Sequence, residues 1–136
     1  GVAEVVVVEN RVCLAMVPWR ADRCAVWGAG YGAGDLLRGA PWLADVDVVY
    51  WGDLDTHGLA ILSEVRGAVP QARSILMDVA TLDEHRDRVG VEPSSRTDEL
   101  PNLRPREEEL WERFRRTGER LEQEHIAAEQ VAAALA

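Results

Sequence analysis

Two short, continuous runs of strand-forming residues constrain the fold of this chain more than any other feature. The runs are EVVVV at 4–8 and VDVVYWG at 46–52, and neither shows the regular apolar–polar alternation of a half-exposed strand. Such runs are typical of strands that are buried on both faces, as in a parallel sheet covered by helices. We therefore predict an α/β fold.

Further runs complete a pattern in which strands alternate with helices. CAVWG at 24–28 and RSILMD at 73–78 predict two more strands, and THGLAILSEVRGA at 56–68 predicts the clearest helix because its apolar residues recur at helical spacing. Alternating strands and helices favour βαβ units. We expect a Rossmann-like central parallel sheet of about four strands flanked by helices.

The sequence changes character after residue 90. A polar stretch rich in Pro and Ser predicts a loop, and PREEELWERFRRTG at 105–118 then begins with Pro and acids, as a helix should. The acidic run 107–109 is expected to be a solvated first turn. Residues 119–136 have high helix propensity and predict a second C-terminal helix.

The length of 136 residues suits one domain with its own core. We expect a single domain over 1–136, with an α/β core at 1–90 and a C-terminal loop and helical extension at 91–136. Because the chain opens almost directly on a strand pattern, we also expect it to be a fragment of a longer protein.

The charge of the chain excludes a generic basic nucleic-acid binder. The formal net charge is -9, from 24 acidic residues against 15 basic ones. An acidic surface repels a phosphate backbone, so any role on nucleic acid needs bound cations or another domain. The sequence has no apolar run near the length of a membrane span, and no membrane partner is expected.

The two cysteines, Cys13 and Cys24, fit neither a zinc pattern nor a disulfide framework. Both lie among apolar residues, so we expect buried, reduced thiols. Reduced thiols favour a cytoplasmic location.

Acidic residues stand at the ends of three of the four predicted strands. Glu9 follows the first, Asp53 and Asp55 follow the third, and Asp78 follows the fourth. The carboxyl ends of parallel strands meet at one edge of a sheet, where functional groups gather. Clustered carboxylates repel unless a cation lies between them, and hard oxygen ligands indicate Mg²⁺ or Mn²⁺. The alternative is that Asp53 and Asp55 simply cap the following helix.

A glycine-rich loop offers a competing hypothesis. WGAGYGA matches G-x-G-x-x-A through Gly28, Gly30 and Ala33, and Asp53 ends the next strand as a ribose-binding acid would. The Gly28–Gly34 loop could thus serve a nucleotide- or dinucleotide-binding module. Against this, the glycines follow the second strand rather than the first.

Several segments together resemble one known family. VENRVCL, WGAGYG, YWGDLDTHGLAIL, SILMDVATLDEH and RLEQEHI occur in this order and are similar to the C-terminal region of the JetD subunit of Wadjet plasmid-defence systems. That region looks like a Toprim domain, the fold shared with the topoisomerase VI A subunit, primases and small nucleases. The resemblance covers essentially the whole chain.

The resemblance implies a metal-dependent DNA-cleaving domain of a bacterial defence protein, weak or inactive in isolation. The Toprim glutamate matches Glu9 and the D-x-D pair matches Asp53 and Asp55, so these three are the expected catalytic and metal-binding residues, with Mg²⁺ or Mn²⁺ and no organic cofactor. The implied partners are DNA, through the full-length protein, and condensin-like Wadjet subunits. The full-length form is expected to be a homodimer.

Other polar residues are expected to lie around the three carboxylates and to orient them. They are Asn10, His57, Asp78, Glu122 and Glu124. A third hypothesis is a non-catalytic assembly domain, in which the acidic C-terminal helices dock a partner.

Overall fold

The computed structural model describes residues 1–136 and confirms the predicted α/β fold. Its main sheet has four parallel strands in the spatial order β2-β1-β3-β4. Two further short strands form a separate antiparallel pair. The strands are β1 Glu4–Val8, β2 Arg23–Trp27, β3 Asp47–Trp51, β4 Arg73–Ser74, β5 Gly90–Val91 and β6 Glu119–Arg120.

Helices flank the main sheet. The α-helices are α1 Ala33–Arg38, α2 Thr56–Ala68, α3 Val79–Glu84, α4 Pro105–Thr117 and α5 Ala128–Ala134. Five short 3₁₀ helices connect them: Arg11–Met16, Gly30–Gly32, Pro41–Asp45, Arg86–Arg88 and Gln123–His125. No helix has both the length and the hydrophobicity needed to cross a lipid bilayer.

The two central strands are the most buried parts of the chain. All five residues of β1 are buried, and so are the last four of β3. They lie within a hydrophobic core of 29 buried residues. Because both faces of these strands are covered, their carboxyl ends are held rigidly beside each other.

Helix α2 has the bounds that the sequence predicts, and most of its residues are buried. Its N-cap is Asp55, whose Oδ1 accepts a hydrogen bond of 2.7 Å from the Gly58 N–H. A side chain at Gly58 would lie 2.0 Å from the carbonyl oxygen of Asp53. The helix can therefore begin this close to β3 only with glycine there.

The fourth strand is shorter than predicted. It spans Arg73–Ser74, although the Ile75 N–H still bonds to the Tyr50 carbonyl. The backbone then leaves the extended conformation at Leu76, whose φ is +57°. Asp78 consequently does not end a strand. It caps α3, accepting a hydrogen bond of 2.8 Å from the Thr81 N–H.

The prediction of one helix over 119–136 is wrong. Residues 119 and 120 pair with β5, and Leu121 forms a bridge with Leu54 through two backbone hydrogen bonds of 2.9 and 3.0 Å. Only the end of the segment, α5, is α-helical. Tertiary hydrogen bonds have overridden the high helix propensity of the segment.

The acidic run at the start of α4 is not wholly solvated as predicted. Glu107 is only 3% exposed, and its carboxylate binds the guanidinium of Arg66, itself buried on α2. The second contact of this pair joins Nη2 to Oε2 at 2.9 Å. Glu108 and Glu109 are exposed. One residue of the run therefore fastens α4 to α2.

Candidate metal centre

Glu9 and Asp53 meet where the two central strands end. In the parallel register of β1 and β3, Val8 lies opposite Trp51, and the Glu9 N–H bonds to the Trp51 carbonyl at 3.1 Å. Glu9 and Asp53 thus emerge side by side, and Asp53 is close enough to raise the pKa of the Glu9 carboxyl group.

The protonation of Glu9 reflects its surroundings. Burial and the neighbouring carboxyl groups of Asp53 and Asp55 together raise the pKa of Glu9 to about 9. A hydrogen bond of 3.0 Å from the Tyr50 hydroxyl to Glu9 Oε1 opposes this rise only in part. Without a cation, Glu9 therefore holds a proton at neutral pH.

Gly52 makes room for the Tyr50 hydroxyl that contacts Glu9. A side chain at Gly52 would lie 2.6 Å from the Tyr50 oxygen. Tyr50 is fully buried and cannot move aside. The glycine between the strand and the first aspartate is thus required by the packing of the tyrosine, not by an unusual backbone conformation.

Asp55 lies near the pair but serves other contacts. One oxygen caps α2, and the other lies 3.8 Å from the Arg120 Nε. Burial and neighbouring carboxylates raise the pKa of Asp55 to about 6, against the lowering effect of its bond to the Gly58 N–H. The helix-capping alternative is therefore correct for Asp55 as a structural role.

The donors fit a hard divalent cation at Glu9 and Asp53. No group of three or more His, Cys, Asp or Glu side chains is arranged to hold a metal ion as it stands. The half-buried pair nevertheless places two carboxyl groups side by side, and a cation can replace the proton that Glu9 holds. The metal-ligand roles of Glu9, Asp53 and Asp55 remain predictions.

Sequence reasoning missed Gln123, which completes this site. Gln123 is fully buried, and its backbone N–H donates to Asp53 Oδ1 at 2.7 Å. Its side chain donates to the Trp51 carbonyl at 2.8 Å and accepts from the Asn10 N–H at 2.9 Å. The sequence signal was the RLEQEHI string, in which attention fell on the glutamates on either side of Gln123.

The supporting residues fall into two groups. Asn10 lies at the site: its Nδ2 donates to Glu124 Oε2 at 2.9 Å, and its Oδ1 caps the 3₁₀ helix that follows β1. Burial raises the pKa of the Cys13 thiol most, and the charges of Glu124, Asp53 and Glu9 raise it further, so Glu124 faces the same region. Glu122 instead pairs with Arg120 at 3.4 Å, and Asp78 caps α3.

His57 belongs to a neighbouring polar cluster. Its Nδ1 lies 2.6 Å from the Tyr31 hydroxyl and its Nε2 lies 2.7 Å from the Ser94 carbonyl. Arg96 donates to the same hydroxyl at 3.1 Å. The contacts of His57 are therefore with the glycine-rich loop and the 90–105 loop.

Sequence reasoning also missed the buried acid Glu92. Its carboxylate accepts hydrogen bonds of 2.8 Å from the Thr56 hydroxyl, and it is 7% exposed. The contact fastens the 90–105 loop to the start of α2. Its position in a Pro- and Ser-rich stretch gave no signal of burial.

The geometry does not favour a dinucleotide site at the Gly28–Gly34 loop. The loop follows β2, whereas Asp53 follows β3, and β1 lies between these strands. A ribose-binding acid belongs on the strand next to the glycine loop. Gly28 has a packing explanation instead, because a side chain there would lie 2.9 Å from Val7.

Comparison with known proteins identifies the family of the chain. A family model described as "Wadjet protein JetD, C-terminal" matches residues 1–135. A comparison with curated protein sequences finds no match.

Proposed function

The chain belongs to the Wadjet protein JetD C-terminal family, and we propose that it is the metal-dependent DNA-cleaving domain of that defence protein. Membership implies a part in a Wadjet defence system. DNA cleavage, the Mg²⁺ or Mn²⁺ requirement and the roles of individual residues form the proposal. The four-stranded parallel sheet is consistent with the Toprim-like fold on which it draws.

The observation that carries the proposal is the Glu9–Asp53 pair. A fold gains nothing in stability by placing two half-buried carboxyl groups beside each other, because partial burial and like charge both oppose ionisation. The two groups are also placed at the carboxyl edge of the sheet, where α/β proteins build their sites. A divalent cation there would neutralise charge on the attacking and leaving oxygens of a phosphodiester.

Each polar residue of the site would have its own role in binding the cation. Glu9 and Asp53 hold the cation, and the Tyr50 hydroxyl orients Glu9 through its bond to Oε1. Asp55 supplies further negative charge through the oxygen that faces Arg120. The rigid strand ends keep these groups in place, so little reorganisation accompanies binding.

The surface that binds DNA would come from outside this chain. At a net charge of -9 the surface repels a phosphate backbone over any length. We therefore propose that the full-length protein supplies the DNA-binding surface, that it acts as a homodimer, and that it works with condensin-like Wadjet subunits. The nucleophile is left open between a tyrosine elsewhere in the full protein and water.

A plasmid-linearisation assay tests the proposal. The samples are the full-length protein with its Wadjet partners, the same complex carrying Glu9→Ala, and a control complex carrying Glu108→Ala, which changes an exposed glutamate. We expect metal-dependent cutting by the unchanged and control complexes and none by Glu9→Ala, with assembly unaltered on size-exclusion chromatography. Undiminished cutting by Glu9→Ala would overturn the catalytic role. It would favour a non-catalytic assembly domain.

A further inference from the structure

Gln123 joins the two strand ends that carry Glu9 and Asp53. The last backbone hydrogen bond between these strands runs from the Glu9 N–H to the Trp51 carbonyl. Beyond it, the side-chain amide of Gln123 bonds to that same Trp51 carbonyl and to the Asn10 N–H, at 2.8 and 2.9 Å. One side chain thus spans the gap that opens where the strands stop pairing.

The backbone of Gln123 contacts the site directly as well. Its N–H donates to Asp53 Oδ1 at 2.7 Å, which fixes one oxygen of that carboxylate. The neighbouring residue extends the contact, because Glu124 accepts a hydrogen bond from the Asn10 side chain at 2.9 Å. The segment therefore binds the chain on both sides of the carboxyl pair.

Burial makes the hydrogen bonds of the Gln123 amide costly to lose. Gln123 is fully buried, and each polar group of its amide needs a partner there. The segment is pinned at its start by the Leu121–Leu54 bridge, and the Leu121 side chain is fully buried too. An amide whose partners are all fixed backbone groups leaves little freedom for the strand ends to separate.

We propose that Gln123 is a positioning residue that sets the separation of the Glu9 and Asp53 carboxyl groups and thereby the affinity of the pair for a divalent cation. The inference rests on the proposed function only in that this pair binds the cation. Groups that orient metal ligands commonly change metal affinity by about 10–100-fold when they are removed. Gln123 makes no contact with the metal in this account and acts through Asp53 and the strand ends.

The test compares Mn²⁺ binding by calorimetry in three forms of the chain. Gln123→Met keeps the volume of the side chain and removes both amide hydrogen bonds. Ile126→Ala is the control, since it destabilises the same buried segment through an apolar side chain that bonds to neither strand end. We expect Gln123→Met to bind Mn²⁺ at least about tenfold more weakly, and the control to bind as tightly as the unchanged chain.

The outcomes separate the two proposals. If the unchanged chain binds no Mn²⁺, the proposed metal centre itself fails. If it binds Mn²⁺ and Gln123→Met binds equally tightly, the metal centre stands and the positioning role is wrong. Equal losses in Gln123→Met and Ile126→Ala would also overturn the positioning role, because they would reflect general loosening of the segment.

A measurement on the unchanged chain keeps the inference testable if Gln123→Met does not fold. Linkage is reciprocal, so a cation that depends on the segment must also stabilise it. We expect saturating Mg²⁺ to slow hydrogen exchange at the backbone amides of Gln123 and Asn10 more than at Leu82, in the distant α3. Equal slowing at all three amides would contradict the inference.

Discussion

Glu9 and Asp53 lie side by side at the ends of the two most buried strands of the protein, where the Glu9 N–H bonds to the Trp51 carbonyl. The pair joins residues that are far apart in sequence and that would both be charged if they were exposed. Glu9 holds a proton there, which a divalent cation can replace.

Removing the charge of Asp53 should stabilise the metal-free protein and reduce its response to metal. Asp53→Asn keeps an oxygen for the Gln123 N–H while relieving carboxylate repulsion. We expect a higher melting temperature without metal, by about 3 °C for each kcal/mol gained. Mn²⁺ should raise the melting temperature of the unchanged chain and have less effect on Asp53→Asn. Identical responses in a thermal-shift titration would show that the pair does not bind the metal.

The metal-free protein should lose stability as the pH rises toward about 9. The pKa of Glu9 rises from 4.5 to about 9 on folding, so in this interval the folded state holds a proton that the unfolded state releases. The stabilising contribution is complete below the lower value and is lost as the pH approaches the higher one. Asp55 acts in the same direction up to about 6.

Urea denaturation with a chelator present, at a series of pH values, measures this effect. Glu9→Gln cannot ionise, so its stability should vary much less between about pH 6 and pH 9. A fall in stability of the same size in Glu9→Gln would assign the effect to other groups. With saturating Mg²⁺ the trend should weaken, because the metal favours the deprotonated pair.

Two substitutions at Asp55 separate its capping role from a role at the metal. Asp55→Ala removes the acceptor for the Gly58 N–H and should lower the free energy of unfolding by about 1 kcal/mol. Asp55→Ser keeps a capping oxygen and should lose only a few tenths of that, roughly 0.3 kcal/mol. If the carboxylate also serves the metal, both variants should bind Mn²⁺ more weakly. Full affinity in Asp55→Ser would restrict Asp55 to the helix cap.

Adjacent glutamates in α4 should differ sharply in their effect on stability. Glu107→Ala leaves the buried Arg66 guanidinium without its carboxylate partner, and we expect a loss of about 3 kcal/mol or more. Glu108→Ala changes an exposed residue of the same turn and should cost less than about 0.5 kcal/mol. Chemical denaturation of the two variants provides the comparison. Equal losses would mean that the Arg66–Glu107 pair does not fasten α4.

This chain by itself should bind DNA weakly and cleave it poorly, even with Mn²⁺. Bound divalent ions cannot reverse a net charge of -9 over a long surface. A plasmid-nicking assay of the chain beside the full-length protein with its partners measures the difference. Robust cutting by the chain alone would show that it carries its own DNA-binding surface.

The sequence by itself determined the class of fold and the place of the site. Continuous β-branched runs such as EVVVV can be buried only where both faces of a strand are covered, so they indicated a parallel sheet. The pattern at 56–68 predicted the bounds of α2, because apolar residues recur at helical spacing across that range. Parallel strands end at one edge of a sheet, so the sequence alone predicted that Glu9 lies near Asp53.

Tertiary structure alone decided how the site is held. RLEQEHI favours a helix locally, but hydrogen bonds with Leu54, Trp51 and Asn10 draw it across the strand ends, and these partners are far away in sequence. For the same reason, the sequence could not distinguish the buried Glu107 from the exposed Glu108. Propensity and periodicity describe near neighbours along the chain, whereas the burial of a polar side chain depends on a partner that only the folded chain brings into contact.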